Sequence, residues 1–274
     1  MRAGLARDDD AVRVGQALYR ARHGGPRVAP RTVSRDSDAG AYAIQDATVA
    51  AMGAIGGWKV GARSRHHEPT CAPLPAIGLR PEGAVFGGPD SRLRGIEVEV
   101  AFELGHDLPA RDQPYTVDDI VAAIAWVLPV VEVVETRLDD WLGAGPSAQL
   151  ADLLSHGALV LGQRQAFDEA WLDLSMVDAC LQFDEGVVAR TVGGHPGPDA
   201  GVLLTWLTRH AGARGAGLKA GQILTTGSCT GLLFASEGSQ VQAEIKGLAP
   251  LGLSFANSPQ LAEQPASWRG GSHA

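Results

Sequence analysis

Ile96-Glu97-Val98-Glu99-Val100-Ala101-Phe102 alternates carboxylate and aliphatic side chains and then turns wholly apolar. Period-two alternation is the mark of a β-strand with two unlike faces. Glu97 and Glu99 therefore share a face, roughly 6.6–7 Å apart along the chain, while Val98 and Val100 face a core. Like charges side by side on an otherwise apolar strand repel and need compensation. One reading is a solvated strand face. The other is a divalent cation, and the hard oxygen donors suit Mg²⁺, Mn²⁺ or Ca²⁺ better than zinc.

A third carboxylate favours the cation. Glu132 stands alone in Val130-Val131-Glu132-Val133-Val134, and an unpaired carboxylate is expensive to bury. With Glu97 and Glu99 it completes a three-carboxylate set that leaves coordination positions for water or a chelating substrate. Glu135 and Arg137, just beyond, read as a supporting ion pair or as functional groups. Lys59 sits in Gly56-Gly57-Trp58-Lys59-Val60-Gly61. Flanking glycines allow close backbone approach to a ligand, so Lys59 is expected to be a buried cation with a lowered pKa, able to move a proton. The competing reading is a snorkelling surface lysine.

Outward from these stretches, the 274 residues carry a formal charge of −8, with 20 Arg and only three Lys: Lys59, Lys219 and Lys246. That balance argues against a nucleic-acid partner. No apolar stretch is long enough to span a bilayer, and Met1 to Asp10 is charged with no apolar signal region, so a soluble, cytoplasmic protein without membrane partners is expected. Cys71, Cys180 and Cys229 lack disulfide or zinc spacing and are expected to be small buried or half-buried residues.

Two helices, Asp8 to His23 and Asp38 to Ile55, flank a patternless connector, Gly24 to Arg35, and the second is expected to stop at Gly56-Gly57. A capping box at Thr116 to Asp119 opens a helix expected from Val117 to Leu128, closed by Pro129 and followed by a strand from Val130 to Leu138. Ala158 to Gly162 reads as a strand, Leu181 to Val192 as a hairpin about Asp184-Glu185-Gly186, and Pro198 to His210 as a helix. Gln222 to Thr226, Val241 to Lys246 and Leu251 to Phe255 are the last strands. Short strands without regular βαβ alternation make this an α+β chain, not a doubly wound sheet. It divides into a helical preface (1–57), a strand-rich catalytic domain (58–256) and a patternless, mobile tail (257–274).

The same stretches fall in the order of a known family: Ala41-Tyr-Ala-Ile-Gln45; Gly57-Trp-Lys-Val-Gly61; Ile96 to Phe102 followed by Asp107-Leu-Pro109; Pro129 to Arg137; Ala151-Asp-Leu-Leu-Ser-His-Gly157; and Leu218 to Ser228. From about Ala39 to Phe255 the chain resembles the 2-keto-4-pentenoate hydratase branch of the fumarylacetoacetate hydrolase superfamily. The resemblance implies a mixed β-roll around Mg²⁺ or Mn²⁺ held by Glu97, Glu99 and Glu132. It places the family lysine on Lys59 and a small-residue substrate loop on Ser155 and on Gly227-Ser228, with Gly61 and Arg137 also at the substrate. It further implies a homo-oligomer, sometimes associated with a related decarboxylase. Departures fall at Arg80-Pro81, where the family has an acidic dipeptide, at Leu153 for an asparagine, and at Gly238-Ser239 for Gly-Asp. They touch the pocket or its rim. His66-His67-Glu68 reads as a surface or lid loop.

The activity implied is metal-dependent addition of water to a 2-hydroxy-2,4-dienoate, giving a 4-hydroxy-2-oxo acid, in aromatic-compound catabolism. Decarboxylation of a 4-oxalocrotonate-type diacid and C–C hydrolysis of an acylpyruvate are alternatives on the same scaffold. Arg80 or Arg63 near a second carboxylate would favour the diacid. A non-catalytic partner subunit is the alternative of a different class.

Overall fold

The computed structural model describes residues 9–88, 91–215 and 217–257. Beyond Asn257, the expected tail lies outside the described residues. Helices α1 (Asp9–Arg22), α2 (Pro30–Val33) and α3 (Asp38–Met52) come first. Strands β1 (Ile55–Gly61), β2 (Thr70–Pro75), β3 (Leu79–Pro81), β4 (Val85–Phe86) and β5 (Gly95–Leu104) follow. Helix α4 (Val117–Ala123) runs into β6 (Ile124–Val134), and α5 (Pro146–Ala151) precedes β7 (His156–Leu161) and β8 (Gln165–Ala166). The hairpin β9 (Asp178–Phe183) and β10 (Gly186–Val192) leads to α6 (Ala200–Ala213). The last strands are β11 (Ile223–Thr225), β12 (Leu233–Phe234), β13 (Gln240–Ile245) and β14 (Leu251–Phe255).

One sheet has the order β2-β1-β11-β5-β6-β7-β3, with β12 and β8 on its flanks. Its two end strands, β2 and β3, are neighbours in sequence, joined by the 3-10 turn Ala76–Gly78. A single turn cannot bridge the width of a flat seven-strand sheet, so the sheet curls into a roll. The roll has its own small interior of Leu74, Ala101, Leu128, Val130, Leu159 and Ile223. Its outer face contributes Val98, Val100, Phe102, Val131 and Val160 to a larger core shared with α1, α3, α6 and the second sheet, β10-β9-β13-β14-β4. This is the expected α+β architecture of helices followed by a mixed sheet. All three cysteines are free and buried. No helix among the described residues is long and apolar enough to cross a membrane.

Three element boundaries differ from the expectation. Helix α3 ends at Met52 on Gly53, whose φ of 96° is the glycine-favoured region and whose N–H reaches Val49 O. The Gly56-Gly57 pair belongs to β1 instead. A Cβ on Gly57 would lie 2.0 Å from Ile223 O, so the pair serves close strand packing and not helix termination. The capping box at Thr116 and Asp119 forms, but α4 stops at Ala123 and the chain switches to strand five residues before Pro129. From Val127 the run is buried on both faces, and such a run has no period that separates strand from helix. Pro129 is tolerated inside β6 because its carbonyl accepts from Gly162 N at the end of β7. Its missing N–H thus falls on the edge where the neighbour changes from β7 to β8. Finally, β6 ends at Val134, so Glu135 to Leu138 leave the sheet, and Val28 in the connector pairs with Leu138 there.

Gly57→Ala should destabilise the protein by about 3 kcal/mol, because backbone must move to admit the methyl group. Gly61→Ala, whose Cβ would meet nothing nearer than Thr226 O at 3.9 Å, should stay within about 0.5 kcal/mol. Urea denaturation of both variants checks the contrast, and equal losses would contradict it.

Candidate metal centre

Antiparallel register places Glu97 of β5 directly opposite Glu132 of β6, with Glu99 opposite Val130. Lys59 of β1 lies opposite Thr225 of β11, which in turn lies opposite Ala101 of β5. Side chains two apart on a strand share a face. All four groups therefore point into one end of the roll, above the apolar interior to which Ala101 and Val130 belong. One oxygen from each of Glu97, Glu99 and Glu132 lies within 4.8 Å of the others. Glu99 and Glu132 are each 1% exposed, and Glu97 is half-buried on the open side.

Lys59 Nζ donates to both oxygens of Glu132, at 2.6 and 2.5 Å, and approaches Leu154 O at 3.5 Å. His156 lies wholly inside, with Nδ1 3.0 Å from Glu132 Oε1. Burial holds His156 down near a pKa of about 4 despite the neighbouring carboxylate. The ring is thus neutral at pH 7, and against a carboxylate acceptor Nδ1 must carry the proton. Burial opposes ionisation of Glu132 too, but Lys59 and then His156 overcome it and bring that carboxyl down to about 2. Glu97 and Glu99 make no such contact, and the pull of Lys59 on them is weaker than the effect of burial. Burial, with repulsion from Glu132, raises Glu97 to about 7 and Glu99 to about 8. The expectation for Lys59 is reversed. Burial does push its pKa down, but the summed attraction of Glu132, Glu97 and Glu99 is larger and raises it. One lysine faces three carboxylates of hard oxygen, so charge and donor chemistry both fit a divalent cation at this point.

Ser155 belongs to an unusual turn. Leu153, Leu154 and Ser155 have φ of 53°, 51° and 59°, three successive non-glycine residues in the left-handed region. Each costs about 1–2 kcal/mol relative to ordinary backbone. Asp152 and Arg137 clamp the turn at both ends. Asp152 accepts from Thr136 Oγ1, Arg137 N and Arg137 Nε, and the Arg137 guanidinium donates to Asp152 O, Glu135 O and His156 O. The turn presents Leu154 O to Lys59 and His156 to Glu132. The Ser155 hydroxyl accepts from Trp141 Nε1 at 3.0 Å, leaving its own proton to donate. Arg137, expected at the substrate, is 5% exposed and bound to the chain's own acceptors. The expected Glu135–Arg137 side-chain pair is not made. Arg137 pairs with Asp152, while Glu135 faces Arg27 at 3.7 Å and accepts from the amides of Arg92 and Leu93.

The remaining expected residues flank the centre. Gly61 ends β1 beside Lys59. Gly227, at φ 111°, donates its N–H to Glu99 Oε2 at 3.2 Å. The Ser228 hydroxyl is engaged in its own turn with Gly231 O and Thr230 N. His66-His67-Glu68 is an exposed loop, with Glu68 holding Trp206 of α6. Two histidines escaped the sequence reading. His156 lies inside a stretch read for Ser155, and its burial against Glu132 exists only once β6 and β7 pair. His195 donates from Nε2 to Thr226 O, 2.7 Å away, and its ring would lie 3.4 Å from a Cβ on Gly227. No local pattern marks it.

The profile of the fumarylacetoacetate (FAA) hydrolase C-terminal family matches residues 62–255. The chain belongs to the FAA hydrolase family. Among relatives, it is 32% identical to 2-hydroxyhexa-2,4-dienoate hydratase of Comamonas testosteroni over 58% of this chain and 59% of that one. The match thus spans less than two thirds of that relative. It is 27% identical to 2-keto-4-pentenoate hydratase of Paraburkholderia xenovorans over 88% of this chain and 93% of that one. Its fold matches 4-oxalocrotonate decarboxylase from Pseudomonas putida G7, complexed with magnesium and adipate, at a TM-score of 0.78 and 21% identity, over 93% and 100% of the two chains. This member of the FAA hydrolase family carries a candidate carboxylate metal centre.

Two outcomes follow from this geometry. A cation entering the site displaces protons from Glu97 and Glu99, so apparent Mg²⁺ affinity should rise with pH from 6 and level off above about 8. The stability of the metal-free protein runs the opposite way. Carboxyls raised in the folded state make the metal-free protein lose stability as pH climbs from their ordinary value, about 4.3, towards 8. Glu132, depressed to about 2, contributes stability above its ordinary value that is lost only on acidification. Calorimetry in buffers of different ionisation enthalpy reads the proton release, and a pH-independent affinity would contradict it. Separately, Arg137→Met strands the buried Asp152 and should cost about 3–5 kcal/mol. A loss below about 1 kcal/mol in thermal unfolding would remove the clamp from the account.

Proposed function

We infer that the protein is a divalent-metal-dependent lyase acting on a short 2-oxo acid or its 2-hydroxydienoate form, in the breakdown of aromatic compounds. The convergence of Glu97, Glu99 and Glu132 beside a charged Lys59 carries this reading. A divalent cation held by the three glutamates would supply positive charge where a substrate's carboxylate and 2-oxygen develop negative charge. Lys59 is charged and aimed into the roll; the three carboxylates hold its proton on, and a divalent cation bound there would offset that field and make the proton easier to give up. A carbon of the dienol that becomes basic on ketonisation is the natural recipient. The Ser155 O–H donates to the substrate carboxylate or orients the attacking water. Gly61 and Gly227 keep the approach open, with Gly227 N–H fixing Glu99. Ser228 and Arg137 act by position, through their own turns. His156 holds Glu132 for Lys59 as an outer hydrogen-bond partner.

Two fates of the dienol have different support. Hydration at C4, giving a 4-hydroxy-2-oxo acid, rests on the hydratases among the sequence relatives. Decarboxylation of a 4-oxalocrotonate-like diacid rests on the likeness along nearly the whole chain to a 4-oxalocrotonate decarboxylase. In that reaction the far carboxylate leaves as CO₂ and its bonding electrons form the same dienol. The diacid reading gains nothing from Arg80, which faces the other side of the β6–β7 sheet. Homo-oligomerisation, and association with a related decarboxylase, belong to the same proposal.

Incubation with 2-hydroxypenta-2,4-dienoate and with 2-oxohex-3-enedioate, each with Mg²⁺ or Mn²⁺, should show turnover of at least one. CO₂ release separates decarboxylation from hydration. Glu97→Gln should lower kcat at least about 100-fold while leaving the fold intact. If neither compound reacts with either metal, the lyase reading falls and a supporting, non-catalytic subunit takes its place.

A further inference from the structure

A cavity of about 450 Å³ lies on the far side of the sheet from the carboxylate centre. Period two along the strands fixes that separation. Leu79 pairs with Leu159 and Glu132 with Leu159, all facing the roll interior, whereas Arg80 pairs with Val160 and faces outward. Val133 and Ala158, the outward neighbours of Glu132 and Leu159, form the cavity floor. The end of α1, the connector, β3 and β4 build its walls.

Its chemistry is not that of the centre. Four arginines, Arg22, Arg27, Arg80 and Arg137, are among its lining residues, with one acidic residue, Glu135. Arg22 donates to the carbonyls of His156 and Gly157, Arg27 faces Glu135, and Arg137 is held by Asp152. These contacts fix the three cations in place at the wall. Arg80 is exposed at the mouth. Facing the cations is an apolar side that includes the ring pair Phe86 and Phe255, centroids 6.0 Å apart. A concave site of this size with an apolar body and a few convergent polar groups is typical of small-ligand sites, which run about 300–1,000 Å³. Guanidinium groups match a carboxylate bidentately, and aromatic faces match a flat apolar body.

We propose that this cavity is a second binding site, for a small aromatic carboxylate, separate from the metal centre. The acid group meets the arginines and the ring lies against Phe86 and Phe255. The cavity shares β6 and β7 with the metal centre as a common wall, but binding in it requires no metal.

Isothermal titration of the full chain with benzoate, after removal of divalent ions by chelation, tests this directly. Benzoate should bind the metal-free protein and Glu97→Gln equally well. Arg80→Ala should weaken it at least about tenfold, and Arg80→Lys less. Phe86→Ala should also weaken it, and benzamide, the uncharged analogue, should not bind. Circular dichroism confirms that the exposed-site variant Arg80→Ala is folded. Four results would each overturn the proposal: no benzoate binding, binding that vanishes on metal removal, binding indifferent to Arg80→Ala, or inorganic phosphate binding as tightly as benzoate.

Discussion

Three carboxylates gathered at the end of an apolar roll is the arrangement on which the rest of this structure depends. Register makes it unavoidable, because pairing β5 with β6 sets Glu97 against Glu132 with Glu99 one pleat away. Low-dielectric surroundings magnify the repulsion. The direct contacts of Lys59 and His156 go to Glu132, and on the other two carboxyls burial outweighs the pull of Lys59, so both are raised. A site that disfavours its own charge in this way has a built-in preference for a divalent cation, and the strength of that preference depends on pH.

The second constraint is the left-handed turn at Leu153 to Ser155. Backbone of this kind persists only where the surroundings over-determine it, and Asp152 with Arg137 does so through six hydrogen bonds to side chain and main chain. Its result is placement: a carbonyl towards Lys59 and a buried imidazole on Glu132. Arg137 is therefore better understood as the brace of the site than as one of its contacts.

Much of this was legible in the sequence, for identifiable reasons. Glu97 and Glu99 were readable because one face of β5 is charged and the other apolar, and Glu132 because it interrupts a valine run. The Thr116–Asp119 capping box and the β9–β10 hairpin are local features, and both formed as expected. Pro129 misled because a strand buried on both faces has no period to distinguish it from a helix. Gly56-Gly57 misled because the helix already has its own terminator at Gly53, and the close approach the pair serves, to Ile223, is 166 residues away in the chain. The pKa of Lys59 misled most instructively. Burial alone lowers it, but the sign of the net shift is set by charges on other strands.

The sequence by itself determined which residues could be ligands, that the chain is α+β, and that the strand from Ile96 carries one charged face, because alternation and capping act over a few residues. Only the tertiary structure decided that Lys59 is held charged, that Arg137 binds Asp152 and not Glu135, and that His156 and His195 belong near the centre. It alone put Arg80 on the opposite face of the sheet. These outcomes depend on strand register and on the Coulomb field of groups far apart in the chain, and no local pattern encodes either.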